Sequence, residues 1–266
     1  GRLHDEHEVL RLPSASALVH LRQRARKQGL CFDEHPDNEP LLAVLADPIY
    51  QWSDERLPPH VARENPYPGF YQRLPAATAE ARALIEVLGP GRVKAWIGAD
   101  ASADVMRSGS LERFPWLHFA VHSFNDPGRP SGIGLLFSML DKDGNEVPGG
   151  VPIDEIARID LQAELVTLSV CQSAMGEQMP GEGVVGLAQA FFAAGASRVV
   201  ASLWDVPDSE HTVRLMELFY DGLVRGLAPP DALRQAQVTV RSEGAPPDVW
   251  AAFIFIGPWD RLAVGG

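Results

Sequence analysis

The sequence predicts a three-layer α/β sandwich built on a mostly parallel sheet of roughly six strands. Three observations predict it. Uncharged apolar runs recur along the chain, as in Leu41–Ala46, Trp116–Ala120, Leu165–Val170 and Val199–Leu203, and runs of this kind suit parallel strands covered on both faces. Stretches with helical spacing of apolar residues alternate with them, the signature of strand–helix–strand units. Glycines or prolines close most of these stretches, as at Gly89-Pro90-Gly91 and Gly195, where a helix must stop.

Taken in order, residues 1–8 are polar and read as a terminal tail; His4 and His7 match no metal-ligand spacing. Val9–Leu12 predicts a short strand, and Ser14 or Ser16 caps a helix ended by Gly29. Leu41–Ala46 predicts a buried strand that stops at Asp47-Pro48. Residues 47–75 are rich in Pro and Gly and predict an irregular loop. A helix follows over 76–88, then a strand at Val93–Ile97 and a short helix capped by Asp100 or Ser102. Trp116–His122 is the next strand, leading to a long loop over 123–133 and an apolar run at Gly134–Leu140. Asp141-Lys142-Asp143-Gly144-Asn145 lacks the sixth-position Gly and distal Glu of a calcium loop and reads as a hairpin turn. Ile153–Ile159 predicts a short helix or turn. The strand Leu165–Val170 ends at Cys171, and a helix spans 182–194 with Val184, Leu187, Ala188 and Phe191 on its buried stripe. Arg198–Leu203 is a strand, Asp208 is the expected cap of a helix carrying Val213, Met216, Phe219, Tyr220 and Leu223, and Pro229-Pro230 opens another helix. Val249–Ile256 is expected to be a last strand. Residues 1–75 thus read as the N-terminal part of one large unit, and 76–266 as its core.

Composition narrows the function. With 23 basic against 35 acidic residues the net charge is −12, which argues against nucleic acid as a partner, since phosphate binding needs clustered Lys and Arg. The two cysteines, Cys31 and Cys171, form neither a disulfide framework nor a CxxC metal site, so a cytoplasmic home with no metal or cofactor is expected. Runs long enough to span a membrane are absent from the sequence.

The chemistry gathers at two strand ends. His122 and Cys171 each follow a buried strand, one crossover apart. If those strands are adjacent and parallel, both residues emerge at one edge of the sheet, where α/β proteins do their chemistry. A thiol titrating near about 8.5 is mostly protonated at neutral pH, and a neighbouring imidazole raises its nucleophilic fraction. Their spacing of 49 residues matches that between histidine and cysteine in caspases, about 50. His118, inside the same strand, reads as a buried structural histidine, and Cys31 as inert.

Here a resemblance enters. His118-Phe119-Ala120-Val121-His122 and Leu168-Ser169-Val170-Cys171-Gln172-Ser173 resemble the two catalytic motifs of CHAT-domain proteases, caspase-like cysteine peptidases of the caspase–separase–gingipain group. Gly181-Glu182-Gly183-Val184-Val185-Gly186-Leu187-Ala188, Gly195–Trp204, Ala232–Gln237, Trp250–Phe253 and Leu12–Leu18 fit the same family, so the likeness spans roughly residues 9–260. It implies a caspase-like fold, with His122 as general base and Cys171 as nucleophile of an endopeptidase. Backbone N–H groups of Ser123 and Cys171 would form its oxyanion hole. Ser123 replaces the family's usual Gly, and Ser173 its usual Thr; a Gly→Ser change keeps the backbone donor wherever φ is negative. Relatives that cleave after basic residues use an acidic pocket, for which Asp205, Asp208, Glu177, Glu182 and Asp126 are the candidates here. The resemblance also implies a protein or peptide substrate, control by a sensor domain or partner outside this chain, and a role in bacterial antiviral defence. The family's domain usually begins with a further strand or hairpin, so the chain is expected to be part of a longer protein.

Two rival readings remain. One is a catalytically inactive interaction module on the same fold. The other is nucleotide binding, because Gly181-x-Gly183-x-x-Gly186 fits a dinucleotide fingerprint with Asp205 further on; that motif needs its first Gly directly after a strand, whereas Cys171 to Pro180 intervene here.

Overall fold

Strand β1 (Leu42–Ala46) is buried along its whole length and organises a six-stranded sheet. The computed structural model describes residues 39–61, 71–126, 132–172 and 182–262. The other strands of this sheet are β2 (Val93–Ile97), β3 (Trp116–Ala120), β7 (Leu165–Leu168), β9 (Val199–Ser202) and β10 (Phe253–Ile256), in the spatial order β10-β9-β7-β3-β1-β2. Every pairing is parallel except β9 with β10.

Alternation along β1 explains the layers. Leu42, Val44 and Ala46 join one apolar cluster, Ala43 and Leu45 the other, because successive strand side chains point to opposite faces. The first face is covered by α1 (Pro75–Leu88), α5 (Glu210–Val224) and α6 (Pro229–Ser242), which supply Leu84, Phe219, Tyr220 and Val240. The second is covered by α2 (Ala103–Arg107) and α4 (Glu182–Ala194), with Met106, Leu187 and Phe191 inside, and carries α3 (Ile153–Ile156) at its margin. This is the expected three-layer sandwich.

Three features differ from expectation. The run Val249–Ile256 is not one strand: Pro247–Trp250 forms a helical turn, α7, and only Phe253–Ile256 pairs, as the antiparallel edge. Pro246-Pro247 starts that turn, since proline suits a first helical position. Second, the cap of α5 is Ser209, whose Oγ accepts from the Thr212 N–H at 3.4 Å, and not Asp208. Third, a separate four-stranded sheet stands beside the main one, in the order β6 (Gly150–Pro152), β5 (Ile133–Leu136), β4 (His122–Asn125), β8 (Cys171–Gln172).

The second sheet arises because β3 and β7 both break. Ala120 O accepts from the Asp47 N–H and Phe119 O from the Ser169 N–H. Beyond those bonds the chain leaves the main ladder at Val121 and at Ser169-Val170, then pairs again as β4 and β8. Ser202 Oγ donates to Val170 O at 3.0 Å and fixes the second exit. The expected strand at Val9–Leu12, the helix after it and Cys31 lie outside the described residues.

Candidate active site

The two residues singled out from sequence come together across this second sheet. β4 and β8 run parallel, with His122 directly opposite Cys171 and Ser123 opposite Gln172. Neighbouring strands lie about 4.8 Å apart, so the two backbones are as close as strand pairing allows.

His122 is buried and held on several sides. Its ring Nε2 lies 2.8 Å from the backbone carbonyl of Gln72, to which it donates. In a neutral imidazole that bond leaves the lone pair on Nδ1. The His122 N–H donates to Tyr50 Oη at 3.0 Å, and that hydroxyl donates onward to Leu136 O at 3.1 Å. Since His122 and Leu136 face each other across the β4–β5 ladder, Tyr50 ties both strands at one point. The rings of Tyr50 and Tyr71 pack on the imidazole at 4.8 and 5.7 Å between centroids. Burial pushes the Tyr71 hydroxyl above its ordinary pKa.

Ser123 is buried in β4. Among the described residues the non-glycine positions with positive φ are Asp47 and Tyr71. Ser123 therefore sits in ordinary strand backbone, which any residue adopts, and the Gly→Ser replacement brings no strain there.

The acidic candidates separate. Asp126 is exposed just beyond β4, and its N–H donates to Gly132 O at 2.7 Å. Asp205 is exposed on the loop after β9. Asp208, on that same loop, is engaged elsewhere: its carboxylate accepts from the N–H groups of Ala76 and Ala77 at 3.0 and 3.1 Å. These are first-turn donors of α1, whose own N-cap, Leu74, has no side-chain oxygen to offer. Partial burial of the carboxyl, reinforced by nearby Asp47 and Glu80, lifts Asp208 above the usual carboxylate range despite those two bonds. Glu177 lies outside the described residues, and Glu182 opens α4.

The frame around His122 is not visible in the sequence pattern: Asp47, Tyr50, Tyr71 and the Gln72 carbonyl all belong to the stretch 47–75, whose Pro and Gly content predicts an irregular loop. A cleft of about 250 Å³ adjoins it, lined by Tyr50, Gln51, Ser53, Asp54, Glu55 and Arg73. Asp54 is partly buried there, which alone would raise its pKa; hydrogen bonds and charge from Arg56 outweigh this and hold it low.

His118 is structural in its contacts. It is fully buried, with Nε2 2.8 Å from Glu80 Oε1 and Nδ1 3.1 Å from Tyr220 Oη. Tyr220 in turn bonds Thr167 Oγ1 at 3.0 Å, and burial pushes its phenol far above the ordinary range. The glycine motif is also accounted for. Gly183 and Gly186 lie inside α4, not in a loop closing a strand, and a Cβ on Gly186 would meet Ile153 Cδ1 of α3 at 3.9 Å. Among the described residues no group of three or more His, Cys, Asp or Glu side chains could hold a metal ion, and no helix is long and apolar enough to cross a membrane.

A six-stranded, mostly parallel sheet with helices on both faces is the architecture of the caspase-like fold. Two solved structures share it: the Saccharomyces cerevisiae separase–securin complex, with TM-score 0.52 and 13% identity over 94% of this chain and 14% of that one, and the Arg-specific cysteine proteinase gingipain R, with TM-score 0.55 and 9% identity over 94% and 54%. Within that class the chain belongs to the CHAT domain family, whose pattern matches residues 2–258. Tetratricopeptide repeat protein 28 is a sequence relative in both Homo sapiens and Mus musculus, 29% identical over 215 residues in each. The match takes in 69% of this chain and only 8% of those much longer proteins.

Proposed function

We propose that this chain is a cysteine endopeptidase in which His122 and Cys171 form the dyad. The observation that carries the reading is their register: the two residues stand opposite each other on neighbouring parallel strands. In the proposed reaction the Cys171 thiol gives its proton to His122 Nδ1 and the thiolate attacks the scissile carbonyl carbon. The carbonyl electrons move onto oxygen, which the N–H groups of Ser123 and Cys171 would stabilise. The imidazolium then protonates the leaving amine as the C–N bond breaks, leaving a thioester. Water, deprotonated by His122, hydrolyses that thioester and restores the thiol. The Gln72 carbonyl supports this sequence by holding the proton of Nε2 and steadying the ring when it becomes cationic.

Substrate preference is proposed for Arg or Lys beside the cleaved bond. The net charge of −12 supports it, as do the exposed Asp205 and Asp126 on the loops at this edge. Asp208 is the weaker candidate, being committed to α1. Glu177 stays in the proposal on sequence grounds alone. Control by a sensor domain or partner protein, a cytoplasmic setting and a part in bacterial defence complete the reading; matching so small a share of the repeat protein 28 relatives fits a domain that works within a larger assembly.

The test is digestion of a peptide library by the wild-type chain and by Cys171→Ala. Cleavage that follows Arg or Lys and vanishes in the variant is the expected result. Cleavage that persists in Cys171→Ala contradicts the dyad, and a preference for acidic or apolar residues overturns the specificity.

A further inference from the structure

One buried carboxylate belongs to the frame around His122 and bonds its neighbours rather than the ring. Asp47 follows β1 directly, is fully buried and has φ of 45°, a left-handed conformation that Asp tolerates better than most residues. Its Oδ1 accepts from the Leu74 N–H at 3.2 Å. Its Oδ2 accepts from Thr78 Oγ1 at 2.8 Å, Arg56 Nη1 at 2.9 Å and Arg73 Nε at 3.3 Å. Residues 73, 74 and 78 are thereby pinned just after Gln72, whose carbonyl meets His122. Gln51 Nε2 holds the carbonyl of Tyr71 at 3.3 Å from the other side. A carboxylate can receive donors at both oxygens; an amide of the same shape must turn its NH₂ toward one of these donors.

We propose that Asp47 is a positioning residue of the active site: by anchoring Arg73 and Leu74 it holds the Gln72 carbonyl on His122 Nε2, and so fixes the imidazole in the tautomer whose Nδ1 accepts the thiol proton. This deepens the peptidase reading and rests on it for its catalytic consequence. The placement of the ring depends only on the contacts around Asp47. The direct chain is short: carboxylate to residues 73–74, carbonyl of residue 72 to the ring.

The test reads the ring itself. In the full chain labelled with ¹⁵N-histidine, the His122 signals are assigned by their loss in His122→Gln, and long-range ¹H–¹⁵N correlations report the tautomer. Wild type is expected to show the Nε2–H form, and Asp47→Asn a mixture of the two. On a cleavable peptide, kcat should fall about tenfold or more with KM little changed, since the ring and not the substrate contact is displaced. Arg73→Gln combined with Thr78→Val removes two arms at partly exposed positions and serves if Asp47→Asn does not fold. A folded variant of either kind that keeps the wild-type tautomer overturns the proposal, whatever its melting temperature. If no variant and no wild type cleaves peptide, the peptidase reading fails alone, and the tautomer still decides the role of Asp47.

Discussion

At the scale of single residues, the site depends on groups that do two jobs at once. Tyr50 Oη takes the N–H of His122 and gives its proton to Leu136 O, so one hydroxyl joins two strands while the ring packs on the imidazole. Tyr50→Phe keeps the packing and removes the bridge, leaving a buried N–H and a buried C=O without that partner. It should cost about 1–3 kcal/mol in urea unfolding; a midpoint equal to wild type contradicts the bridge. Residues of this kind explain what sequence could and could not tell. The pairing of His122 with Cys171 was legible because both followed apolar runs one crossover apart. The Gln72 contact was not, since a backbone carbonyl is the same at every residue and leaves no trace in side-chain type. Asp47 read as a turn residue before Pro48, which it also is.

At the scale of elements, α1 is where the site is tied to the rest of the fold. Its first turn receives Asp208 from the loop after β9 and Asp47 from the end of β1, and further along it Glu80 meets His118 and Ser169. Asp208 was expected to cap α5, the helix next to it in sequence, but Ser209 takes that position and frees the carboxylate for a helix 131 residues away in sequence. Local sequence names a good capping residue; only tertiary packing decides which helix it caps. A pH effect follows. Because the folded carboxyl lies above its unfolded value of 3.8, the native state holds this proton more tightly. The contribution of Asp208 to stability is therefore fully present below about the unfolded value and declines as pH rises through the raised one. Asp208→Asn should remove that decline. Urea midpoints of both proteins between acid and neutral pH check it: wild type should lose ground to the variant as pH rises through that window, and a difference that is flat or grows in favour of wild type contradicts the account.

At the scale of the whole molecule, the parallel sheet, its two helical layers and most element boundaries followed from apolar runs and helix stops. The helix over 182–194 is observed at those bounds. The second sheet was not legible, because Trp116–His122 and Leu165–Val170 read as unbroken strands while the ladder actually breaks at Val121 and at Ser169-Val170. Periodicity reports burial, and the residues at the breaks, Val121, Ser169 and Val170, are themselves buried. The last strand was overextended for the same reason, since Val249 and Ala252 are buried without being paired. The break is what matters for the proposed function. It moves His122 and Cys171 out of the main sheet onto a short parallel pair of their own, where the frame of residues 47–50 and 71–74 can reach the histidine. The most direct test of the account is covalent labelling of the intact chain by a peptidyl electrophile ending in Arg, followed by intact mass. Wild type should gain one adduct on Cys171, His122→Ala should label at least about 100-fold more slowly, and Cys171→Ala not at all; equal labelling rates in wild type and His122→Ala, or an adduct that survives Cys171→Ala, would contradict it.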